Sequence, residues 1–252
     1  MSFCDLTGMT ALVTGSSRGI GRAIGLLLAR QGARVIFHGS RASEKLTSAT
    51  AEAGNDAIAL TADFEVPDEA AKLAETLTRR SLAPDILVLN ASVQSYTGLA
   101  DFEDAEFFRM FRANVASSCE LLRRLLPEMR KKNFGRVIFV GSINGVRPAP
   151  RLAIYGATKA ALMNIARSAA TENAPYGITV NTILPGVIKT DRNAAKLNDP
   201  VFAEKLRTQI PMQRLGSADD CAGAVAFLAS DAAAYITGAE IPIDGGWQLP
   251  RG

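Results

Sequence analysis

Tyr155 and Lys159 stand four positions apart in the stretch YGATK, with only small residues between them. On a helix this spacing puts both side chains on one face, one turn apart. A lysine early in a helix gains nothing from the helix dipole, which favours cations at the opposite end. Its place beside a phenol therefore needs a chemical reason. A ketone that accepts a hydride also needs a proton at its oxygen, and tyrosine can donate one. The ordinary phenol pKa is about 10. A neighbouring cation favours the phenolate and lowers that value, so the group can serve as acid or base near neutrality. Lys159 can supply that charge and also reach a cofactor ribose. Ser142 closes the apolar run GRVIFVGS at 135–142. At the carboxyl end of a strand, its hydroxyl can hold a substrate oxygen beside the phenol.

The hydride must come from a cofactor, and the N-terminal part of the chain offers a place for one. The run TALVTG leads into Thr14-Gly15-Ser16-Ser17-Arg18-Gly19-Ile20-Gly21, and a helical pattern follows. Glycines there let the backbone turn sharply and approach a diphosphate, whose charge suits a helix N-terminus. Three residues separate Gly15 from Gly19, so the spacing is not GxGxxG; an ordinary glycine-rich turn is the plain alternative. At the end of the second apolar run, an NAD site usually carries an acid for the ribose 2′-hydroxyl. Here the residues are His38-Gly39-Ser40-Arg41, with no acid before Glu44. A 2′-phosphate would be repelled by a carboxylate and welcomed by a hydroxyl and a guanidinium. Ser40 and Arg41, with Arg18 closing from the other side, point to NADP(H).

Short β-rich runs at 10–15, 33–39, 57–63, 85–90, 135–142, 177–186 and 239–246 must position these groups. Most are almost continuously apolar, as parallel strands buried on both faces are. Amphipathic stretches near 20–31, 43–53, 67–80, 103–132, 153–175 and 217–230 alternate with them. The pattern predicts an α/β fold: a single-domain, Rossmann-type, doubly wound parallel sheet of about seven strands, with helices on both faces. One domain is expected over 1–252. The segment 190–215, with Pro200 and Pro211 and a short amphipathic piece from Val201 to Gln209, breaks the alternation and is expected to form a substrate lid.

Other chemistries are disfavoured. His38 is the single histidine, so a Ser-His-Asp hydrolase or a multi-histidine metal site would have to use it. It follows Val35-Ile36-Phe37 and is expected at a strand end. Cys4, Cys119 and Cys221 are far apart and form no metal spacing, which suits a reducing cytoplasm. A net charge of +3 gives no basis for a nucleic-acid surface. Arg130, Lys131 and Lys132 read as the basic end of a helix. The opening MSFCDLTGMTALVTG lacks a basic segment ahead of an apolar run, so no signal peptide is expected, and no apolar run approaches the ~20 residues of a membrane span.

Taken together, Thr14 to Gly21, Asp63, Asn90-Ala91, Asn114, Ser142, Tyr155-x-x-x-Lys159, Pro185-Gly186-x-x-x-Thr190 and Asp244-Gly245-Gly246 resemble the short-chain dehydrogenase/reductase family over essentially the whole chain. The resemblance implies that Tyr155 is the acid/base, that Ser142 orients the carbonyl, and that Lys159 tunes the phenol and binds the ribose. It also implies that Asn114 holds a water linking Lys159 to solvent. The cofactor would be held by Gly15, Ser17, Arg18, Gly19, Ile20 and Gly21. Asp63 would meet the adenine, Asn90 the adenosine ribose, and Pro185, Gly186, Ile188 and Thr190 the carboxamide side. One departure stands out. The family's Asn-Asn-Ala-Gly is Leu89-Asn90-Ala91-Ser92 here, with Leu89 expected to pack as a strand residue. The general pattern resembles 3-oxoacyl-acyl-carrier-protein reductases. That implies a small carbonyl or alcohol substrate, a carrier-bound acyl group among the possibilities, and a homotetramer. A sugar or polyol dehydrogenase with the same residues is the alternative. A non-catalytic nucleotide sensor is a remote one, since it has no use for Tyr155 and Lys159 together.

Overall fold

The apolar runs pair into one seven-stranded sheet, β1 (Thr10–Val13), β2 (Arg34–Gly39), β3 (Ile58–Thr61), β4 (Ile86–Leu89), β5 (Gly135–Val140), β6 (Ile178–Pro185) and β7 (Glu240–Ile243). A computed structural model describes residues 4–249. The spatial order is β3-β2-β1-β4-β5-β6-β7, and every pairing is parallel. Each crossover carries a helix, as parallel neighbours require.

The strands serve two cores because successive side chains alternate between faces. Val13, Val88 and Ile138 pack with α1 (Gly19–Arg30), α2 (Glu44–Ala53) and α9 (Ala218–Ala229). Leu12, Leu87, Leu89 and Phe139 pack with α3 (Glu69–Arg79), α5 (Ser117–Lys132) and α6 (Ala153–Asn173). Leu89 is thus a core strand residue, as expected.

Two sequence expectations need correction. The helix expected over 103–132 is interrupted. After α4 (Asp104–Phe111), residues Arg112–Ala116 form a π turn before α5 begins. The segment 190–215 is more regular than its two prolines suggest. It holds α7 (Ala194–Leu197) and α8 (Pro200–Thr208). Pro200 starts α8 at its first position, where the missing N–H costs nothing, and Asp199 caps the turn through Val201 and Phe202.

Candidate active site

The strand order reverses between β1 and β4, and at their carboxyl ends a cleft of ≈ 550 Å³ opens. Ligands of open α/β sheets bind at such a switch point. Gly15, Ser17, Arg18, Gly19, Ile20, Gly21, Ser40, Asp63, Asn90, Ser142, Tyr155, Lys159, Pro185, Gly186, Ile188 and Thr190 all line it. Of the expected residues, Arg41 and Asn114 do not.

The loop after β1 is built for close approach. Gly15 has φ +63, and a Cβ there would lie 2.8 Å from the Ala91 Cα. A Cβ on Gly21 would come within 2.5 Å of the Gly15 oxygen. Ser43 caps α2 and Ser217 caps α9, but no side chain caps α1, whose first turn contains no acid. The unmet N–H groups of α1 therefore face the cleft and suit an anion. A diphosphate fits this cradle. Beside it Ser40 lines the cleft, while Arg41 is exposed just outside.

Asn90 and Asp63 hold the cleft's shape. The Asn90 amide donates to the Thr14 and Gly15 carbonyls at 2.8 and 3.0 Å, bracing the phosphate loop. One carboxylate oxygen of Asp63 accepts the Glu65 N–H at 3.1 Å. Thr190 is tied to Asn193, whose side-chain oxygen accepts from the Thr190 N–H at 3.0 Å.

His38 has a larger part than its expected strand-end place suggests. It is 2% exposed and its ring stacks on Phe64 at 4.5 Å. The Gly15 N–H donates to its Nδ1 at 3.1 Å, so the proton sits on Nε2, which donates to the Ala62 carbonyl at 3.0 Å. One imidazole thereby ties the phosphate loop to the ends of β2 and β3. Burial holds its pKa down at about 4. The signal for this role was available: a polar ring at the end of an otherwise apolar strand, facing a glycine-rich loop.

Ser142, Tyr155 and Lys159 meet on the opposite side of the cleft. All three are buried, and the Lys159 ammonium lies 5.7 Å from the Tyr155 ring centroid. Lys159 donates to the Val140 carbonyl at 2.8 Å. The Ser142 hydroxyl accepts the Asn144 N–H at 3.1 Å. The expectation that Lys159 brings the phenol down is corrected here. Burial pushes the Tyr155 phenol up; the charge of Arg192 and a hydrogen bond with Ser142 pull it back. Burial, and then Arg192, drive Lys159 down to about 7, so near neutrality it carries only part of a charge.

Asn114 stands within the helical stretch expected over 103–132. It lies in the π turn, fully buried, with its side-chain oxygen accepting the Val93 N–H at 2.7 Å. Its amide donates to the Val93 carbonyl at 2.9 Å and to the Thr158 hydroxyl at 3.1 Å. With both amide hydrogens engaged, the side chain joins the loop after β4 to α6; any water relay here would run through the main chain.

Arg192, two residues beyond Thr190, was not singled out from the sequence. It reaches over the cleft to Ser92.

The family model described as enoyl-(acyl carrier protein) reductase matches residues 15–248. The chain is 39% identical over 246 residues to the 3-oxoacyl-[acyl-carrier-protein] reductase FabG of Escherichia coli (strain K12), covering 97% of this chain and 99% of that protein. It is 36% identical over 248 residues to an L-rhamnose 1-dehydrogenase (NAD(P)(+)) of Azotobacter vinelandii, covering 96% and 97%. Among solved structures, a 3-oxoacyl (acyl-carrier-protein) reductase from Agrobacterium tumefaciens C58 with NADP bound superposes with a TM-score of 0.92 at 36% identity, over 97% of this chain and 96% of that one. With its seven-stranded sheet and its tyrosine and lysine in one cleft with a phosphate cradle, this chain belongs to the short-chain dehydrogenase/reductase family, oxidoreductases acting on CH–OH and C=O groups.

Proposed function

We propose that the chain is an NADP(H)-dependent reductase of a 3-oxoacyl group, carrier-bound or as a simpler thioester. The observation that carries this reading is that Ser142, Tyr155 and Lys159 share one cleft with the uncapped N-terminus of α1. Bound NADPH would supply the hydride. Its diphosphate would rest on Gly15 to Gly21, and its 2′-phosphate on Ser40, Arg18 and Arg41. Asp63, Asn90, Pro185, Gly186, Ile188 and Thr190 would line the rest of its length.

Within that site the protein moves a proton. Tyr155, kept protonated by burial, hands its hydroxyl proton to the carbonyl oxygen as that oxygen gains charge. Ser142 holds the same oxygen and favours the phenolate left behind. Arg192 stabilises that phenolate by its charge, and Lys159 does so in its protonated fraction. Asn114 keeps α6 in register with the loop after β4, and so acts as a positioning residue.

The 3-oxoacyl substrate is supported by the similarity to the Escherichia coli and Agrobacterium reductases. The similarity to the L-rhamnose dehydrogenase favours a second reading, a sugar or polyol dehydrogenase working through the same residues. A panel of ketones and alcohols with both cofactors, including a 3-oxoacyl thioester and several sugars, separates the two. The protein is further read as a cytoplasmic homotetramer. Among the described residues no helix is long and apolar enough to cross a membrane. Phe108, 60% exposed on α4, offers apolar surface that an assembly would cover. Sedimentation at micromolar concentration tests the assembly. Residues 190–215 are read as the lid, because Leu197, Phe202 and Leu206 from α7 and α8 line the cleft.

A further inference from the structure

We propose that Arg192, supported by Arg147 and Arg151, selects substrates that carry a negative charge, a carboxylate or a phosphate, on the molecule whose carbonyl is reduced. The inference rests on the reading of Tyr155 as the proton donor and adds the chemistry of the substrate beyond the reacting carbon.

The guanidinium of Arg192 is held in place. Its Nη2 donates to the Ser92 carbonyl at 2.7 Å and its Nη1 to the Ser92 hydroxyl at 3.2 Å. Ser92 is the residue that departs from the family's usual glycine. The hydroxyl that is new at this position is therefore one of the groups that hold the arginine. Arg192 and Ser92 both line the cleft that contains Ser142 and Tyr155. The positive charge of Arg192 is felt at Tyr155 and at Lys159. A guanidinium has five N–H donors, and two of those on Arg192 are used by Ser92.

No carboxylate among the described residues forms an ion pair with Arg192. Its neighbour Asp191 is turned to Lys45 instead. Two more guanidiniums contact residues that line the cleft, and neither forms an ion pair with a carboxylate among the described residues. Arg147 lies 4.8 Å over the ring of Trp247, and Arg151 donates to the Tyr96 carbonyl at 3.0 Å. Trp247 and Tyr96 both line the cleft. The acids that line it are Asp63, Glu65 and Asp191. The first two follow β3, on the adenosine side, and the third is paired with Lys45.

The unpaired charge of Arg192 opposes the charged form of Lys159. That arrangement is unfavourable unless an anion completes it. A fixed guanidinium with free N–H groups matches a carboxylate or a phosphate by paired hydrogen bonds, which an ammonium cannot reproduce. The two anions have different sources: a free oxo acid carries its carboxylate near the carbonyl, whereas an acyl group on a phosphopantetheine arm carries its phosphate farther along.

The test uses the full chain with NADPH and three substrates sharing one acyl group: the neutral N-acetylcysteamine thioester of 3-oxobutyrate, the same acyl group on phosphopantetheine, and the free acid. The wild type is expected to favour a charged substrate over the neutral thioester in kcat/KM by about tenfold or more, the range of one hydrogen bond to a charged group. Arg192→Met should remove most of that ratio, chiefly through KM, and Arg192→Lys should keep part of it. Preference for the free acid identifies a carboxylate; preference for the phosphopantetheine form identifies a phosphate. A wild type indifferent to charge, or an Arg192→Met variant with an unchanged ratio, overturns the proposal. Binding gives the same answer without turnover: 3-hydroxybutyrate or phosphopantetheine should raise the melting temperature more than methyl 3-hydroxybutyrate does, and Arg192→Met should lose the difference. Equal shifts would overturn the selectivity. Absence of turnover with every carbonyl, alongside intact anion binding, would instead count against the reading of Tyr155.

Discussion

His38 should make the protein sensitive to mild acid, and the size of the effect follows from its surroundings. In the unfolded chain an imidazole takes up a proton near pH 6.5; in the folded protein burial delays this to about 4. Between those values the unfolded state binds more protons, so stability is full above about 6.5 and falls as the pH drops towards about 4. Each unit is worth about 1.36 kcal/mol, so the whole interval costs about 3 kcal/mol. That is a large fraction of the ~5–15 kcal/mol that holds a typical domain folded. The structural reason is specific. A proton on Nδ1 would face the Gly15 N–H that now donates to it, while the ring is stacked on Phe64 and its other nitrogen is engaged by the Ala62 carbonyl. Asp63 is the one nearby charge that favours the imidazolium, and burial outweighs it. Urea denaturation of the wild type and of His38→Gln at pH 7.5 and 4.5 would measure the effect. The wild type should lose about 2–3 kcal/mol more than the variant over that range. Glu106 and Asp220, whose carboxyls arginines hold well below the usual range, are common to both proteins and cancel. Parallel pH dependence in the two proteins would refute the reasoning.

Tyr155→Phe keeps the ring and removes only the hydroxyl, so turnover should fall by about 10²–10⁴-fold with NADP affinity nearly unchanged; steady-state rates and titration calorimetry check both halves. Lys159→Met should lower the rate and also weaken NADP binding, which the same two assays resolve. NADP should bind about 10- to 150-fold more tightly than NAD, the value of one charge-assisted contact, and Arg18→Ala or Arg41→Ala should narrow the gap in fluorescence titration. Hydrogen exchange across 190–215 should slow when NADP and a substrate analogue are added, as expected of a lid that closes over them.

Much of this architecture is visible in the chain because parallel strands buried on both faces declare themselves as apolar runs; β1, β4 and β5 match their runs to within a few residues. The π turn is not visible, since Arg112 to Ala116 has nothing in its residues to distinguish it from α-helix. Pro200 and Pro211 suggest irregular chain, yet Pro200 stands at the first position of α8, where helix formation tolerates it. Tyr155, Lys159 and Ser142 are legible because their chemistry depends on spacing along one helix and at one strand end. Arg192 escapes notice, and the partners of Ser92 and His38 do too, for a common reason: each pair joins residues distant in sequence. Ser92 and Arg192 are 100 residues apart, and His38 and Gly15 are 23 apart. The direction of the Tyr155 shift is equally invisible, because it depends on how far the fold removes the phenol from water.

The π turn accommodates one extra residue in the long helix. An α-helix advances about 100° per residue, and the wider turn absorbs that step, so the two halves keep their relative phase. α4 can then direct Glu106 to Ser95 and Arg109 to Glu65, while α5 independently turns Leu121, Leu122 and Leu125 into the core. The side-chain amide of Asn114 falls at the junction and meets Val93 on one side and Thr158 on the other. Deleting a single residue from Arg112–Ala116 would leave a helix of ordinary pitch with sound backbone bonding. Because the π turn already absorbs the extra residue, α4 and α5 would keep their relative phase, and the loss would fall on the side chains of the turn itself, Asn114 among them. Its damage would appear as a dislocation between the loop after β4 and the helix that carries Tyr155, in a protein whose helix content is unchanged.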